Sequence, residues 1–276
     1  MDGNAACHFS ASTMAAVVNF PLWRAAAIAQ SGFQLKGTTV VSRYIEAISP
    51  RTMPYRGVFA TMFGMSWARG AIFWGSDKGK HWLKSMGVNN AMSQTLPPLI
   101  ISTFVQVANM PLVRATVTIQ DPSSPYNSVR AALVHINETR GVSGLFHGLS
   151  AGILKTVPKY ITAVVVKDYM EDNLPEASTF GKGKTGVLTR SGVKAVAAGL
   201  AGAVLTNPLD VLRNEMFKTD LGLGATYKKL MQEQGLAFMF RGMAPNCTAV
   251  AIPIAVTIFL TDVFQSSLAA RNEGKR

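Results

Sequence analysis

Three copies of one motif pair constrain this chain more than any other feature. Pro-Leu falls near the end of three apolar stretches, at Pro21-Leu22, Pro111-Leu112 and Pro208-Leu209, spaced 90 and 97 residues apart. A glycine follows each proline by 34 to 37 residues, preceded by an aromatic and a basic-type residue, as Tyr55-Arg56-Gly57, Phe146-His147-Gly148 and Phe240-Arg241-Gly242. Self-similarity at a fixed long period marks a unit that buries its apolar face only against its neighbours. Each unit reads as a helix interrupted near proline, a polar segment containing a short helix, and a returning helix. The expected architecture is therefore one domain over residues 1–276, with units near 8–84, 95–174 and 188–270. Its six helices form three pseudo-symmetric pairs.

The apolar pattern says where those helices run. No Asp, Glu, Lys or Arg occurs from Ser85 to Val113 or from Gly242 to Thr261, and a spanning helix needs about 20 such residues. Four further stretches, Ser10–Gln30, Gly57–Trp82, Gly148–Tyr169 and Gly192–Phe217, are long and apolar but carry a few charges. Charges within a membrane turn toward a bundle interior or a water-filled cavity. Six transmembrane helices around a polar centre, an all-α membrane protein, follow from this. A soluble helical bundle fails on the stretch from Ser85, which is too long and apolar for an amphipathic surface helix.

Net charge is +12 with 15% of residues charged and 48% hydrophobic, which excludes a disordered polycation and favours an anionic membrane surface. Nucleic-acid binding is not expected, because Lys and Arg are spread over helix ends instead of gathered on one face with aromatic platforms. Two cysteines and four scattered histidines build neither a disulfide framework nor a metal site, and none is expected. No nucleophile stands beside a plausible base, so the chain is not expected to be an enzyme. Gly183-Lys184-Thr185 looks like the end of a phosphate-binding loop, but Ser178 replaces the first glycine and no strand precedes it. The amino-terminal segment lacks the charge pattern of a signal or transit peptide, so any organelle address is expected to be internal.

The repeated motifs resemble those of the mitochondrial carrier family, P-x-[DE]-x-x-[KR] on the odd helix and [DE]-G-x4-[YWF]-[KR]-G leading into the even one. The third unit matches best, with Pro208-Leu209-Asp210-Val211-Leu212-Arg213, Gln234-Gly235 and Phe240-Arg241-Gly242. Gln30 and Gln120 match the glutamine that often stands nine residues after the proline. The resemblance implies a multi-pass protein of the mitochondrial inner membrane, with both termini in the intermembrane space.

In that family the acid and base of each proline motif pair between units and close a three-membered gate on the matrix side. Here the equivalent residues are Trp23 and Ala26, then Val113 and Thr116, so only Asp210 and Arg213 remain. Those two, three apart on one helix, can pair locally or with other groups but cannot rebuild a three-membered ring. Arg24 and Arg114 lie one position past the acid site, where they are expected to cap freed carbonyls or meet lipid phosphate. The opposite gate resembles [YF]-[DE]-x-x-[KR], which lands on Asp77, Asp168 and Asp262. The base survives once, as Lys80, with Glu171 and Gln265 at the other two positions. Solvated charges at helix ends would produce the same pattern.

Family contact points, about seven residues into each even helix, fall on Gly64, Lys155 and Ala249. Lys155, with Thr156 and Lys159 on the same face, then suits an anionic substrate such as a carboxylate; a lysine snorkelling to water or headgroup is the structural alternative. The glycine-led helix starts hold cardiolipin in the family, which implies lipid at Arg56, Gly57, Gly148, Arg241 and Gly242. No cofactor beyond that bound lipid is expected. With gate charges missing from two units, the expected role is a carrier-fold accessory or structural subunit of a larger inner-membrane complex, such as a respiratory one. The alternative is an active carrier exchanging an anionic metabolite by alternating access.

Overall fold

The structure, a computed structural model, describes residues 14–33, 36, 39–49, 55–181, 183–219 and 221–256. Every regular element among them is helical. The elements that carry the prolines or follow the glycines are α1 (Phe20–Ser31), α3 (Val58–Ser85), α4 (Asn90–Thr118), α6 (Leu149–Asn173) and α7 (Gly183–Lys218). A further helical run covers 243–256. Helices α2 (Val40–Ile48), α5 (Val129–Leu145) and α8 (Leu223–Gln234) lie between them, so a helix carrying the proline, an intervening helix and a helix following the glycine recur three times among the described residues.

Local chemistry sets the boundaries. The Thr39 hydroxyl accepts from the Ser42 amide and Ser42 returns the favour in a capping box that starts α2. Asn89 and Ser128 cap α4 and α5 in the same way, through the amides of Met92 and Ala131. Pro21 lies in the first turn of α1, after a break at Asn19. Pro111 and Pro208 are absorbed inside α4 and α7. Gly57, Gly148 and Gly242 all have positive φ (83°, 90° and 69°), and a long helix begins immediately after each.

These three helix starts close the bundle as a ring. A Cβ on Gly57 would meet Thr116 and Ile119 of α4, one on Gly148 would meet Phe217 and Arg213 of α7, and one on Gly242 would meet Ala29 and Gln30 of α1. The residue before each glycine reaches the same neighbour. Arg56 donates to the Ile119 carbonyl at 3.3 Å, His147 Nε2 lies 3.1 Å from the Leu221 carbonyl, and Arg241 donates to the Gln30 carbonyl at 2.9 Å.

Polarity runs opposite to that of a water-soluble bundle. Gln120, Asn207, Asn214, Arg114 and Arg24 are buried, whereas Phe59 is 83% exposed and Phe63, Ile100, Phe104, Ile161 and Val165 are exposed with it. On α6 the exposed apolar residues Leu154, Val157, Ile161 and Val165 follow helical spacing, an outward stripe suited to lipid. Among the described residues, two helical stretches, Thr95–Thr118 and Thr185–Lys218, are apolar enough on their own to cross a membrane, fewer than the six spans expected from sequence. Helices α3 and α6 have the length, 28 and 25 residues, but charges such as Arg69, Lys80, Lys155 and Lys159 interrupt their apolar windows.

Candidate functional site

The site is built on α6 and α7, which pack along one another. Lys155 enters from α6, seven residues past Gly148, and its ammonium donates to Asp210 Oδ1 on α7 at 2.6 Å. Arg213, one turn further along α7, reaches the same oxygen at 3.0 Å. Asp210 thus pairs both locally, with Arg213, and with another group, Lys155 of α6. All three side chains are close to nine-tenths buried.

Two adjoining cavities, of about 360 and 350 Å³, share Trp23, Thr61, Lys155, Lys159 and Arg213 in their walls. The first extends between α1 and the 243–256 helix past Asp210, Asn214 and Asn246; the second extends between α3 and α4 past Gln106, Asn109 and Thr116. Lys159 therefore lines the cavity, as expected from its place four residues after Lys155. Thr156 does not: it is buried, absent from both walls, and its hydroxyl donates back to the Gly152 carbonyl at 3.1 Å. The reason is angular, since adjacent helical residues point about 100° apart.

The end of the cavity nearest the prolines is shut by an apolar plug. Trp23 and Val113, at the positions where acids would stand, pack against buried Met110, Val117 and Phe217. An amide chain seals the seam between α1 and α7. Asn207 Nδ2 donates to the carbonyls of Met239 and Arg241, which fixes its Oδ1 as the acceptor for Gln30 Nε2 at 3.0 Å and Asn246 Nδ2 at 3.2 Å. Arg24 takes the carbonyl-capping role, donating to Ala47 O at 2.7 Å and Gln120 Oε1 at 2.5 Å. Arg114 is buried, with its guanidinium 6.0 Å from the Phe217 ring centre.

The helix-start arginines expected to face lipid are turned toward protein. Besides its contact with the Gln30 carbonyl, Arg241 donates to Glu215 at 3.0 Å. Arg56 bonds Asn127 as well as Ile119. Glu215 is buried and also receives Lys218 at 2.7 Å and Lys229 at 3.1 Å, while Lys218 donates to the Ser31 carbonyl. This clamp ties α7, α8 and the Gly242 helix start to α1. It was missed in the sequence, although an acid inside a long apolar stretch is by itself a signal. Beside it, a cavity of about 480 Å³ opens along Phe33, Arg43, Gly242, Met243 and Ala244.

Of the opposite gate, Asp77 and Asp168 stand in the C-terminal halves of α3 and α6, Lys80 is half-buried on α3, and Asp262 lies outside the described residues. Glu171, where a base was looked for, receives Arg190 and Lys194 of α7. Arg190 also donates to the carbonyls of Glu171 and Pro175, both at 2.9 Å, and so caps the end of α6. These hydrogen bonds, from Lys194 first and then Arg190, hold the Glu171 carboxyl at about 2, below the usual glutamate range. A depressed carboxylate contributes its stability above the unfolded value and loses it as pH falls through the folded one. The clamp should therefore persist at pH 4 and release only toward pH 2. A carboxyl-carbon NMR titration of Glu171 with a midpoint near 4.5 would show it unformed.

A family model described as Mitochondrial carrier protein matches residues 91–178 and 186–272. Among curated proteins the chain is 26% identical over 151 residues to the probable mitochondrial adenine nucleotide transporter BTL2 of Arabidopsis thaliana, covering 51% of this chain and 34% of that protein. It is 33% identical over 122 residues to mitochondrial glutamate carrier 2 of Rattus norvegicus, covering 41% and 36% respectively. It is 29% identical over 192 residues to the mitochondrial oxaloacetate transport protein of Saccharomyces cerevisiae, covering 63% and 55%. The matched stretches span only 34% to 52% of the length of the adenine nucleotide and citrate transporters that it resembles. The two matched regions together take in well over half of the sequence, and on them the chain belongs to the mitochondrial carrier family.

Proposed function

We propose that the protein is a solute carrier that exchanges a small anion across the mitochondrial inner membrane by alternating access. One observation carries this reading: Lys155, Lys159 and Arg213 line a cavity whose one carboxylate among the described residues is Asp210. Cations in a water-poor bundle need counter-charge, and a bound anion supplies it. A scaffold that never bound solute would have no use for the excess. The relatives named above as transporters of nucleotides, glutamate and oxaloacetate support the same reading over the accessory-subunit role.

The apolar plug of Trp23 and Val113 favours the second reading, a carrier-shaped subunit held shut inside an inner-membrane complex. Exchange needs two closed states of similar depth, and apolar packing replaces separable ion pairs at two of three gate positions. The two readings separate on reconstitution into cardiolipin-containing vesicles loaded with carboxylates, nucleotides or amino acids. Saturable exchange of one of these, abolished by Lys155→Ala, is the expected result. No exchange of any of them, with the native protein migrating in a large assembly after gentle extraction, would favour the subunit.

The same proposal places a two-phosphate lipid such as cardiolipin at the Gly242 helix start. The support is geometric: amides at a helix start attract phosphate, and the cavity beside Gly242 also offers Arg43. Native mass spectrometry should retain such a lipid, and its complete absence would remove this part of the proposal.

A further inference from the structure

We infer that α6 and α7, though they belong to the second and third units, move as one rigid body, and that the bundle opens at its first helix instead. The inference rests on the alternating-access reading and adds which parts of the bundle move. Ties join α6 to α7 at every level. At the glycine-led start, a Cβ on Gly148 would lie 2.8 Å from the Phe217 ring. Two turns on, Lys155 donates to Asp210 Oδ1 at 2.6 Å. A further turn on, Gly202 of α7 stands against Lys159, where an added Cβ would lie 3.7 Å from Lys159 Cγ and 3.9 Å from its carbonyl oxygen. At the far end Glu171 receives Arg190 and Lys194, and Arg190 donates to the carbonyls of Glu171 and Pro175 at 2.9 Å. The ties run from Gly148 to Glu171, about 34 Å of helix at 1.5 Å per residue. Two packed helices held at both ends and in the middle can neither hinge nor slide without breaking a buried ion pair.

The first helix, α1 with the helical run 14–18 before it, is held differently. Among the described residues, its polar contacts with the rest of the bundle fall between Arg24 and Ser31. Arg24 donates to Gln120 and to the Ala47 carbonyl, Gln30 bonds Asn207 and Asn214, and the carbonyls of Gln30 and Ser31 receive Arg241 and Lys218. Beyond that cluster the helix carries its own pivot. Asn19 (φ −94°, ψ 2°) leaves helical geometry, and Pro21 has no N–H to donate to the Val17 carbonyl. Ahead of the pivot, Ala15, Ala16 and Asn19 line the cavity branch that runs beside the 243–256 helix. A helix tied at one end, with a pivot beyond the ties and a cavity along its side, is the element that can swing.

Spin-label distances in the full-length protein, in cardiolipin-containing vesicles and with Cys7 and Cys247 replaced by alanine, test this assignment. Labels at Ile161 of α6 and Val187 of α7 report on the rigid pair, and labels at Val18 and Val187 report on the first helix; all three residues are more than half exposed and none lines either cavity. Succinate, citrate, glutamate and ADP serve as probes, and each is also assayed for exchange by the labelled proteins. The Ile161–Val187 distance is expected to keep one narrow peak with every probe. The Val18–Val187 distance should shift by more than about 2 Å, the scale of a loop or domain rearrangement, with a probe that exchanges. Glu171→Gln, which removes the far tie at a half-exposed carboxylate, should broaden the Ile161–Val187 peak and leave the Val18–Val187 shift in place. An Ile161–Val187 distance that shifts during exchange, a Val18–Val187 distance that stays fixed during exchange, or an Ile161–Val187 peak indifferent to Glu171→Gln would overturn this assignment of moving parts with the carrier intact. No exchange of any probe, with every distance fixed, would overturn the carrier reading itself.

Discussion

Asp210→Asn should destabilise the protein by about 3–5 kcal/mol, the usual cost of removing one partner from a buried ionic cluster, and Lys155→Met by clearly less. The asymmetry follows from how the charges are shared. Asp210 is the common partner of Lys155 at 2.6 Å and Arg213 at 3.0 Å, so losing it leaves two buried cations facing each other. Losing Lys155 leaves the Asp210–Arg213 pair intact. The double variant should then be more stable than the sum of the two singles predicts, with a coupling of roughly 0.5–3 kcal/mol, because Lys155→Met removes one of the cations that Asp210→Asn strands. Thermal or denaturant unfolding in one detergent gives all four corners of the cycle. Additive losses, or a larger loss for Lys155→Met, would mean that the three side chains do not share one carboxylate oxygen. Exchange should be lost in both variants lacking Lys155, including the double variant with recovered stability, which separates a binding role from a structural one.

The members of that cluster were legible in the sequence one by one, and their meeting was not. Lys155 stood out as a charge deep in an apolar stretch, and Asp210 and Arg213 as the surviving proline motif. The motif logic, however, looks for the partner of Asp210 on another unit's proline helix, where this chain has Ala26. The vacancy is filled from α6 by a residue 55 positions away, a pairing that no local spacing encodes. Thr156 failed for a simpler reason, because adjacency in sequence is divergence on a helix. Arg56 and Arg241 were recognised as cations at helix starts, but the last carbonyls of a neighbouring helix are anionic ends as well, and both arginines donate to them. The fold was more legible than the site. Each helix start at Gly57, Gly148 and Gly242 is marked by a residue that permits positive φ, and the short helices α2, α5 and α8 fall in the polar segments assigned to them. The number of spans was less legible, since charges such as Lys155 inside the long helices erode the apolar windows by which spans are recognised.

Replacing the helix-start glycines by alanine should give a graded series that tests the ring of contacts directly. At Gly242 an added Cβ would lie 2.6 Å from the Gln30 amide nitrogen and 2.9 Å from the Ala29 carbonyl carbon. Those are backbone atoms inside α1, which cannot yield without moving the helix. That movement would also strain the Arg241–Gln30 contact and the Glu215 clamp beyond it. At Gly148 the nearest atom is a Phe217 ring carbon at 2.8 Å, and at Gly57 it is the Ile119 Cδ1 at 3.0 Å, a side-chain tip that can turn aside. Gly235 serves as the control: its φ is also positive, at 58°, but nothing lies within 4 Å. There alanine pays only the left-handed backbone penalty, roughly 1–2 kcal/mol. Thermal unfolding in detergent should therefore rank Gly242→Ala as most damaging, on the order of 3 kcal/mol or more for a steric conflict in packed structure, followed by Gly148→Ala, Gly57→Ala and Gly235→Ala. Equal losses at Gly242 and Gly235 would show that the third helix start does not press on α1. The ring would then be open at the seam between the first and last units of the chain.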